Sequence, residues 1–290
     1  MKFKQMLKNE LKKNEDFTEN LLNLLPRGYQ ELNHIAILNL KPELREYASQ
    51  IAKSMHEILP SLKAIWHKTG KIEGKYRQPQ GLVHLWGDSN SEIILTENQV
   101  KYKFDFTKIM FAKGNVTERR ILPTRIKEGE VIIDMFAGIG YFSLGMAKTK
   151  KPIKIYSIEW NPEAFSYLCE NIKLNKVDSI ITPIFGDCKD KIMELKENKI
   201  RADRIIMGLL PAPIDAIPAA LSIIKEEGVI VYEGIEGKES TDLFDEFSEI
   251  ANQEGFLTSI IERRIVKIYK PHLYHVVIEI SVKKKKIEKI

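Results

Sequence analysis

Only two cysteines, Cys169 and Cys188, stand among the 290 residues. Two thiols cannot build a disulfide framework, a four-thiolate zinc site or a three-cysteine iron–sulfur motif, so no chain-held metal cluster is expected. No run of 18 apolar residues is present, which argues against a membrane-spanning helix. The five lysines of Met1–Lys13 have no apolar segment behind them, so the N-terminus does not read as a secretory signal and a cytoplasmic protein is expected. Internal repeats and low-complexity linkers are missing too. With 43% hydrophobic residues and a net charge of only +5, dominant disorder is excluded as well.

The charge that is there is unevenly placed. Residues 1–115 hold 18 Lys+Arg against 13 Asp+Glu, whereas residues 116–290 hold 27 of each. The whole surplus therefore belongs to the first part. Within it Lys63, His67, Lys68, Lys71, Lys75 and Arg77 face only Glu73, with Trp66 and Tyr76 between them. Cations interleaved with aromatics suit a phosphate backbone and unstacked bases, and a solvated lysine-rich surface is the plainer reading of the same residues.

The chain reads as two modules, an α+β module over 1–115 and a larger one over 116–290. The first 50 residues read as helix with breaks, with a turn at Pro26-Arg27-Gly28. Leu44, Tyr47, Ile51, Met55 and Ile58 repeat at three and four, predicting a helix between Pro42 and Leu59. Short strands follow at Leu62–Trp66, Gly81–Trp86, Glu92–Glu97 and Gln99–Asp105. In the second module apolar runs at 131–135, 153–158, 180–185, 203–207 and 228–232 alternate with helices expected at 141–149, 162–175, 188–197 and 214–226. Crossovers of that length predict a parallel, doubly wound sheet. Two further runs, 257–269 and 273–282, leave only Lys270-Pro271-His272 between them and must form an antiparallel hairpin. Five parallel strands followed by an antiparallel pair is the order of a class I S-adenosylmethionine-dependent methyltransferase domain, a Rossmann-like α/β fold with a seven-stranded sheet.

The first strand of that module ends in Asp134-Met135-Phe136-Ala137-Gly138-Ile139-Gly140. Glycines 138 and 140 let the strand-to-helix turn approach a ligand closely, and Ser143 stands where a dinucleotide fingerprint needs its third glycine. The second strand ends at Glu159, about twenty residues on, where an acid can take both ribose hydroxyls. The third is followed by Gly186-Asp187-Cys188, where an Asp can accept from an adenine amino group. Each acid alone also reads as a helix N-cap; three in register at the carboxyl edge of a sheet read as a nucleoside site. The fourth strand runs into Gly208-Leu209-Leu210-Pro211, which offers no side-chain acceptor. Ahead of the module, Thr117-Glu118 reads as a helix start carrying Arg119 and Arg120, which can grip a carboxylate bidentately or serve as a salt-bridged hinge.

These pieces together, with Phe104-Asp105, Met110-Phe111, Gly114-Asn115, Glu118-Arg119 and the Tyr269-x-Pro271-x₃-His275 hairpin, resemble the enzymes that modify the guanosine 3′ of the tRNA anticodon. One branch methylates guanine N1; the other transfers the 3-amino-3-carboxypropyl group of S-adenosylmethionine to a tricyclic wyosine-type guanosine. The methyltransferase branch typically carries Asn-Leu-Pro at the fourth strand and Arg-Leu ahead of Thr-Glu-Arg. Gly208-Leu209-Leu210-Pro211 and Gly114-Asn115 are similar to the aminocarboxypropyl branch, although Ala112 and Ala212 stand where that branch often has Ser. The resemblance covers residues 100–282 well. It implies S-adenosylmethionine as donor, Glu159 on the ribose, Asp187 and the Cys188 backbone on the adenine, and Arg119 on the methionine portion as the candidate catalytic residue. Ala112, Asp134, Phe136, Gly138 and Gly208 complete the implied donor site, without a metal. The implied partner is tRNA, phenylalanine tRNA at its anticodon region; the charge surplus of residues 1–115 points to the first module as its binding part, and a monomer is expected. Guanine-N1 methylation and non-catalytic tRNA binding are the alternatives.

Overall fold

The computed structural model describes residues 2–70, 72–74 and 78–286. Close Cα neighbours divide the chain into two compact units, one of residues 1–95 and 104–111, the other of residues 96–103 and 112–290.

The first unit opens with α1 (Phe3–Leu11) and α2 (Glu19–Leu24), the latter capped by the Thr18 hydroxyl accepting from the Leu21 amide. β1 (Gln30–Leu32) and β2 (Ile35–Leu38) follow, then α3 (Ala48–Ile58), β3 (Ala64–Lys68), β4 (Ile72–Glu73), β5 (Gln78–Pro79) and β6 (Leu82–Gly87). The strands β1 and β2 correct the all-helical reading of the first 50 residues. All four β2 residues are buried, and a buried run that short carries no period to distinguish strand from helix. The sheet runs β1-β2-β3-β6, and only the β2–β3 pair is parallel. On it α3 buries Ala48, Ile51, Ala52 and Met55, one face at spacings of three and four, and α1 contributes Leu7 and Leu11 to the same core.

A two-stranded hairpin, β7 (Glu92–Glu97) and β8 (Val100–Asp105), leads out of this unit, and its tip groups with the second. There α4 (Val116–Ile121) precedes β9 (Val131–Asp134), α5 (Ser143–Lys148), β10 (Lys154–Glu159), α6 (Pro162–Asn175), β11 (Ile181–Phe185), α7 (Cys188–Glu197), β12 (Ala202–Met207), α8 (Ile217–Ile223), β13 (Ile224–Glu236), α9 (Asp242–Gln253), β14 (Phe256–Lys270) and β15 (Leu273–Lys284). The seven strands lie in the order β11-β10-β9-β12-β13-β15-β14. The first five are parallel; β15 runs antiparallel between β13 and β14.

Two elements differ from the sequence reading. The helix expected over 214–226 is only α8, because Pro218 favours a first helical turn and Ile224 already pairs with Ala202 in the sheet. The helix α9 is missing from that reading, although Leu243, Phe247 and Ala251 recur every four residues and are buried. The hairpin tip is held to α6 by a reciprocal amide ladder. Asn175 and Asn171 accept from the Lys101 and Lys103 amides and donate back to the same residues' carbonyls. No helix among the described residues is long and apolar enough to cross a membrane.

Candidate active site

The order of the sheet reverses between β9 and β12, and a doubly wound sheet leaves its ligand crevice at the carboxyl ends beside such a switch. The loop after β9 turns through Gly138 at φ +57° and Gly140 at φ +95°, angles that favour glycine. The sequence-selected acids stand at or just past the ends of β9, β10 and β11, on the β9 side of this switch, each in a different state.

Asp134 is fully buried and accepts from the Ser143 hydroxyl at 2.6 Å; Ser157 in turn donates to Ser143 at 2.7 Å. Burial pushes its carboxyl up to about 7, against the Ser143 and Phe136 hydrogen bonds and aided by the nearby charges of Glu159 and Glu233. Its side chain thus shapes the strand end from beneath, while the half-buried Phe136 and Gly138 lie at the surface of the loop.

Glu159 holds that loop directly. Its Oε2 accepts from the Gly138 amide and its Oε1 from the Asn161 amide, both at 2.7 Å. Burial raises its pKa, and the amides of Asn161, Gly138 and Trp160 oppose the rise. Two oxygens with about four lone pairs leave acceptor capacity for a hydroxyl after these amides are satisfied. Asp187 caps α7 by accepting from the Lys189 amide at 2.9 Å, so its cap and candidate adenine roles use one carboxylate. Cys188 begins that helix, buried, its thiol pushed up to about 12 by burial; it contributes no thiolate at neutral pH.

Arg119 sits on α4 and is buried, whereas Arg120 is exposed, as two neighbours about 100° apart on a helix must differ. Its guanidinium makes a fork to a carboxylate of this chain, with Nε donating to Glu97 Oε1 at 2.6 Å and Nη2 to Oε2 at 2.9 Å. Nη1 donates to the Ala112 carbonyl at 3.1 Å. The Arg119 charge acts on Tyr141, whose ring lies against Gly138, so this cation belongs to the neighbourhood of the glycine loop.

Gly208 closes β12. A Cβ there would stand 2.7 Å from Phe142 Cε2, so a side chain at this position would require the Phe142 ring to shift. Glu233 Oε1 lies 3.7 Å from that same point, and Glu233 Oε2 pairs with His275 Nε2 at 2.8 Å, both side chains being almost wholly buried.

Sequence reasoning does not select Glu97, Glu233 or Arg264. Arg264 on β14 binds Glu118 through Nε and Nη2 at 3.1 and 3.0 Å and Glu279 through Nη1 at 2.7 Å. It fixes α4 to the sheet and thereby aims Arg119. The Glu118-Arg119 pair is visible as a motif; its two partners are not, because they come from distant strands. Among the described residues no group of three or more His, Cys, Asp or Glu is arranged to hold a metal ion.

Comparison with known proteins bears on the same residues. A family model described as the TRM5/TYW2 methyltransferase domain matches residues 93–256, and one described as the TYW2 N-terminal domain matches residues 4–90. The chain belongs to the TRM5/TYW2 family. Over 270 residues it is 34% identical to the tRNA(Phe) (4-demethylwyosine(37)-C(7)) aminocarboxypropyltransferase of Pyrococcus horikoshii, covering 92% of this chain and 94% of that protein. It is 36% identical over 266 residues to the tRNA (guanine(37)-N(1))-methyltransferase Trm5b of Pyrococcus abyssi, covering 91% of this chain and 77% of that one. The crystal structure of P. horikoshii TYW2 in complex with MeSAdo superposes with a TM-score of 0.80 at 31% identity, over 97% of this chain and 100% of that chain. The seven-stranded unit therefore has the Rossmann-like fold of the family's S-adenosylmethionine-dependent enzymes.

Proposed function

We propose that this chain is an S-adenosylmethionine-dependent tRNA aminocarboxypropyltransferase. It moves the 3-amino-3-carboxypropyl group to a tricyclic wyosine-type guanosine 3′ of the anticodon of phenylalanine tRNA and releases methylthioadenosine. The observation that carries this reading is the match of residues 4–90 to the TYW2 N-terminal domain, directly ahead of the shared catalytic domain. Gly208 supports it, since the residue that follows β12 has no acceptor side chain of its own to orient guanine N1.

The donor brings a sulfonium that activates all three of its carbon substituents, and position alone selects which is attacked. In this proposal the remaining acceptor capacity of Glu159 takes the ribose hydroxyls. Asp187 and the Cys188 amide take the adenine edge, and Phe136 and Gly138 form the wall against which the nucleoside lies. Arg119 exchanges the Glu97 carboxylate for that of the donor and turns the γ-carbon toward the acceptor, with the Ala112 carbonyl steadying the guanidinium. The acceptor carbon bonds to the γ-carbon as the sulfur–carbon bond breaks, its electron pair remaining on sulfur. The ring carbon then releases its proton. Residues 1–115 serve tRNA recognition and residues 116–290 the transfer.

Donor labelled separately on the methyl and on the carboxyl carbon decides the matter. Carboxyl label should enter tRNA only when the tricyclic base is present. Methyl label entering unmodified guanosine would assign the chain to the N1-methylating branch instead.

A further inference from the structure

The run that looks most like an RNA-binding surface in the sequence is only partly exposed. Trp66 and His67 of β3 are buried, Trp66 with its ring 5.0 Å from that of His84 and 5.2 Å from that of Phe106. Lys63 is exposed and Lys68 half-exposed, while Lys71, Lys75, Tyr76 and Arg77 lie outside the described residues.

A different concentration of charge is built by the fold. A cleft of about 620 Å³ in the first unit is edged by Lys4 of α1, by Arg27 in the turn after α2, and by Lys41 and Arg45 on either side of the short 3₁₀ turn at Pro42–Leu44. Its other polar side chains are Asn23 and Asn39, and neither a carboxylate nor an aromatic ring lines it. Arg27, Lys41 and Arg45 are exposed, and among the described residues none of the four cations is within ion-pair distance of an acid. Glu43, on the 3₁₀ turn itself, is exposed and does not line the cleft, and four other acids of this part of the unit have partners elsewhere. Glu19 pairs with Lys8 and Lys12, Glu10 with Lys13, Asp16 accepts from Gln50, and Glu46 engages Tyr47.

Four uncompensated cations around one concavity repel one another, and bound anions relieve that repulsion. Without a ring to stack on a base or an acid to take ribose hydroxyls, the cleft is suited to phosphate rather than to a nucleoside. We infer that this cleft grips backbone phosphates of the tRNA, an inference that rests on the tRNA reading above. It supplies the sequence-independent part of binding: the cations and two asparagines fix position along a strand, and nothing in the lining reads a base edge.

The test is tRNA binding by fluorescence anisotropy from about 50 to about 300 mM salt, comparing the wild-type chain with the triple variant Arg27→Gln, Lys41→Gln, Arg45→Gln. Lys4 is left in place because its ammonium also bonds the Asn23 carbonyl at 2.6 Å. Affinity at physiological salt should fall at least about tenfold, and the slope of log K against log salt should drop by about 2–3, roughly one for each phosphate no longer neutralised. Donor affinity, measured by calorimetry, should stay within about twofold, since the donor residues lie in the other unit. Unchanged affinity and slope in a folded variant would overturn the inference. If the triple variant unfolds, Lys41→Glu alone should still lower the slope by about 1, and an unchanged slope there overturns it equally. Loss of inorganic phosphate or ATP binding with tRNA affinity intact would assign the cleft to a free phosphate ligand and overturn it too. A wild-type chain that binds donor and no tRNA at any salt would instead defeat the underlying tRNA reading.

Discussion

The carboxyl ends of β9 and β10 satisfy their buried carboxylates differently from the acids that the β12–β14 half of the seven-stranded sheet grips. At the carboxyl ends of β9 and β10, Asp134 and Glu159 are held by hydroxyl and amide donors, and among the described residues neither forms an ion pair. The half that begins at β12 supplies guanidiniums instead: Arg204 of β12 to Glu130 just ahead of β9, Arg264 of β14 to Glu118 of α4 and Glu279 of β15, and Arg263 of β14 to Glu236 of β13, while Glu233 pairs with His275. Neutral donors leave a carboxylate expensive to ionise and free to rearrange around a ligand, and both Asp134 and Glu159 have raised pKa values. A bidentate guanidinium fixes geometry instead, and removing one partner strands a buried charge. The division matches the labour: the first half bounds the candidate donor site, the second anchors α4 and the hairpin.

The hardest blow to this comparison falls on the ionic half. Arg204 donates to both oxygens of Glu130 at 3.0 Å and to the Arg125 carbonyl, with both side chains buried. Arg204→Ala should cost about 3–5 kcal/mol of stability by denaturant titration, because Glu130 is left buried without its counter-charge. Donor affinity of the fraction that remains folded should not change. A loss below about 1 kcal/mol would mean the pair is no better than a surface bridge.

Arg119 sits where the two modes meet, an ionic pair beside the glycine loop. Arg119→Ala should lower transfer at saturating donor by about a hundredfold through lost orientation, and Arg119→Lys should recover little of it, since an ammonium cannot fork. Arg120→Ala, on the exposed side, should be tolerated. Glu97→Gln sharpens the point. If the donor's carboxylate exchanges with that of Glu97, donor affinity rises in this variant; if Glu97 only shapes the site, affinity falls. Were Arg119→Ala to lose thermal stability alone, the guanidinium would belong with Arg204 as a structural anchor.

For the first half, Glu159→Gln should weaken donor binding by about 2 kcal/mol in calorimetry, within the range of a lost charged hydrogen bond. Unaltered affinity would remove Glu159 from the ribose role.

The smallest effect is a pH slope. Asp134 in the folded chain holds its proton up to about 7, whereas an unfolded aspartate releases it near 4. Between those values the folded state binds more protons, so this group's contribution is fully present below about pH 4 and is lost as pH rises to about 7. Asp134→Asn should flatten that decline, by at most about 1.4 kcal/mol per pH unit, in unfolding measurements between about pH 4 and 7. An identical pH profile would show that the site is wetter than its burial implies.

Local patterning goes far in the catalytic unit and less far in the first. The boundaries of α6 and α7 are those the spacing predicts, 162–175 and 188–197. The parallel order and the terminal hairpin follow from crossover length and from a three-residue gap too short for a helix. In the first unit the pattern reads β1 and β2 as helix, since a four-residue buried run has no period, and it reads Trp66 as surface although β3 buries it.

By itself the sequence determined what depends on neighbours along the chain. Alternating apolar runs and helical periods fixed the sheet, and positive-φ glycines fixed the loop after β9. Acids at or just past three strand ends fell at one edge because the strands are parallel. Tertiary structure alone decided every pairing between distant segments. Arg119 meets Glu97 22 positions away, Glu118 meets Arg264 146 positions away, and Lys4, Arg27, Lys41 and Arg45 gather from separate segments around one cleft. Burial and period are properties of a segment and its solvent. A charge pair is a property of two segments, and its partner is chosen only when packing brings one within about 3 Å of the other.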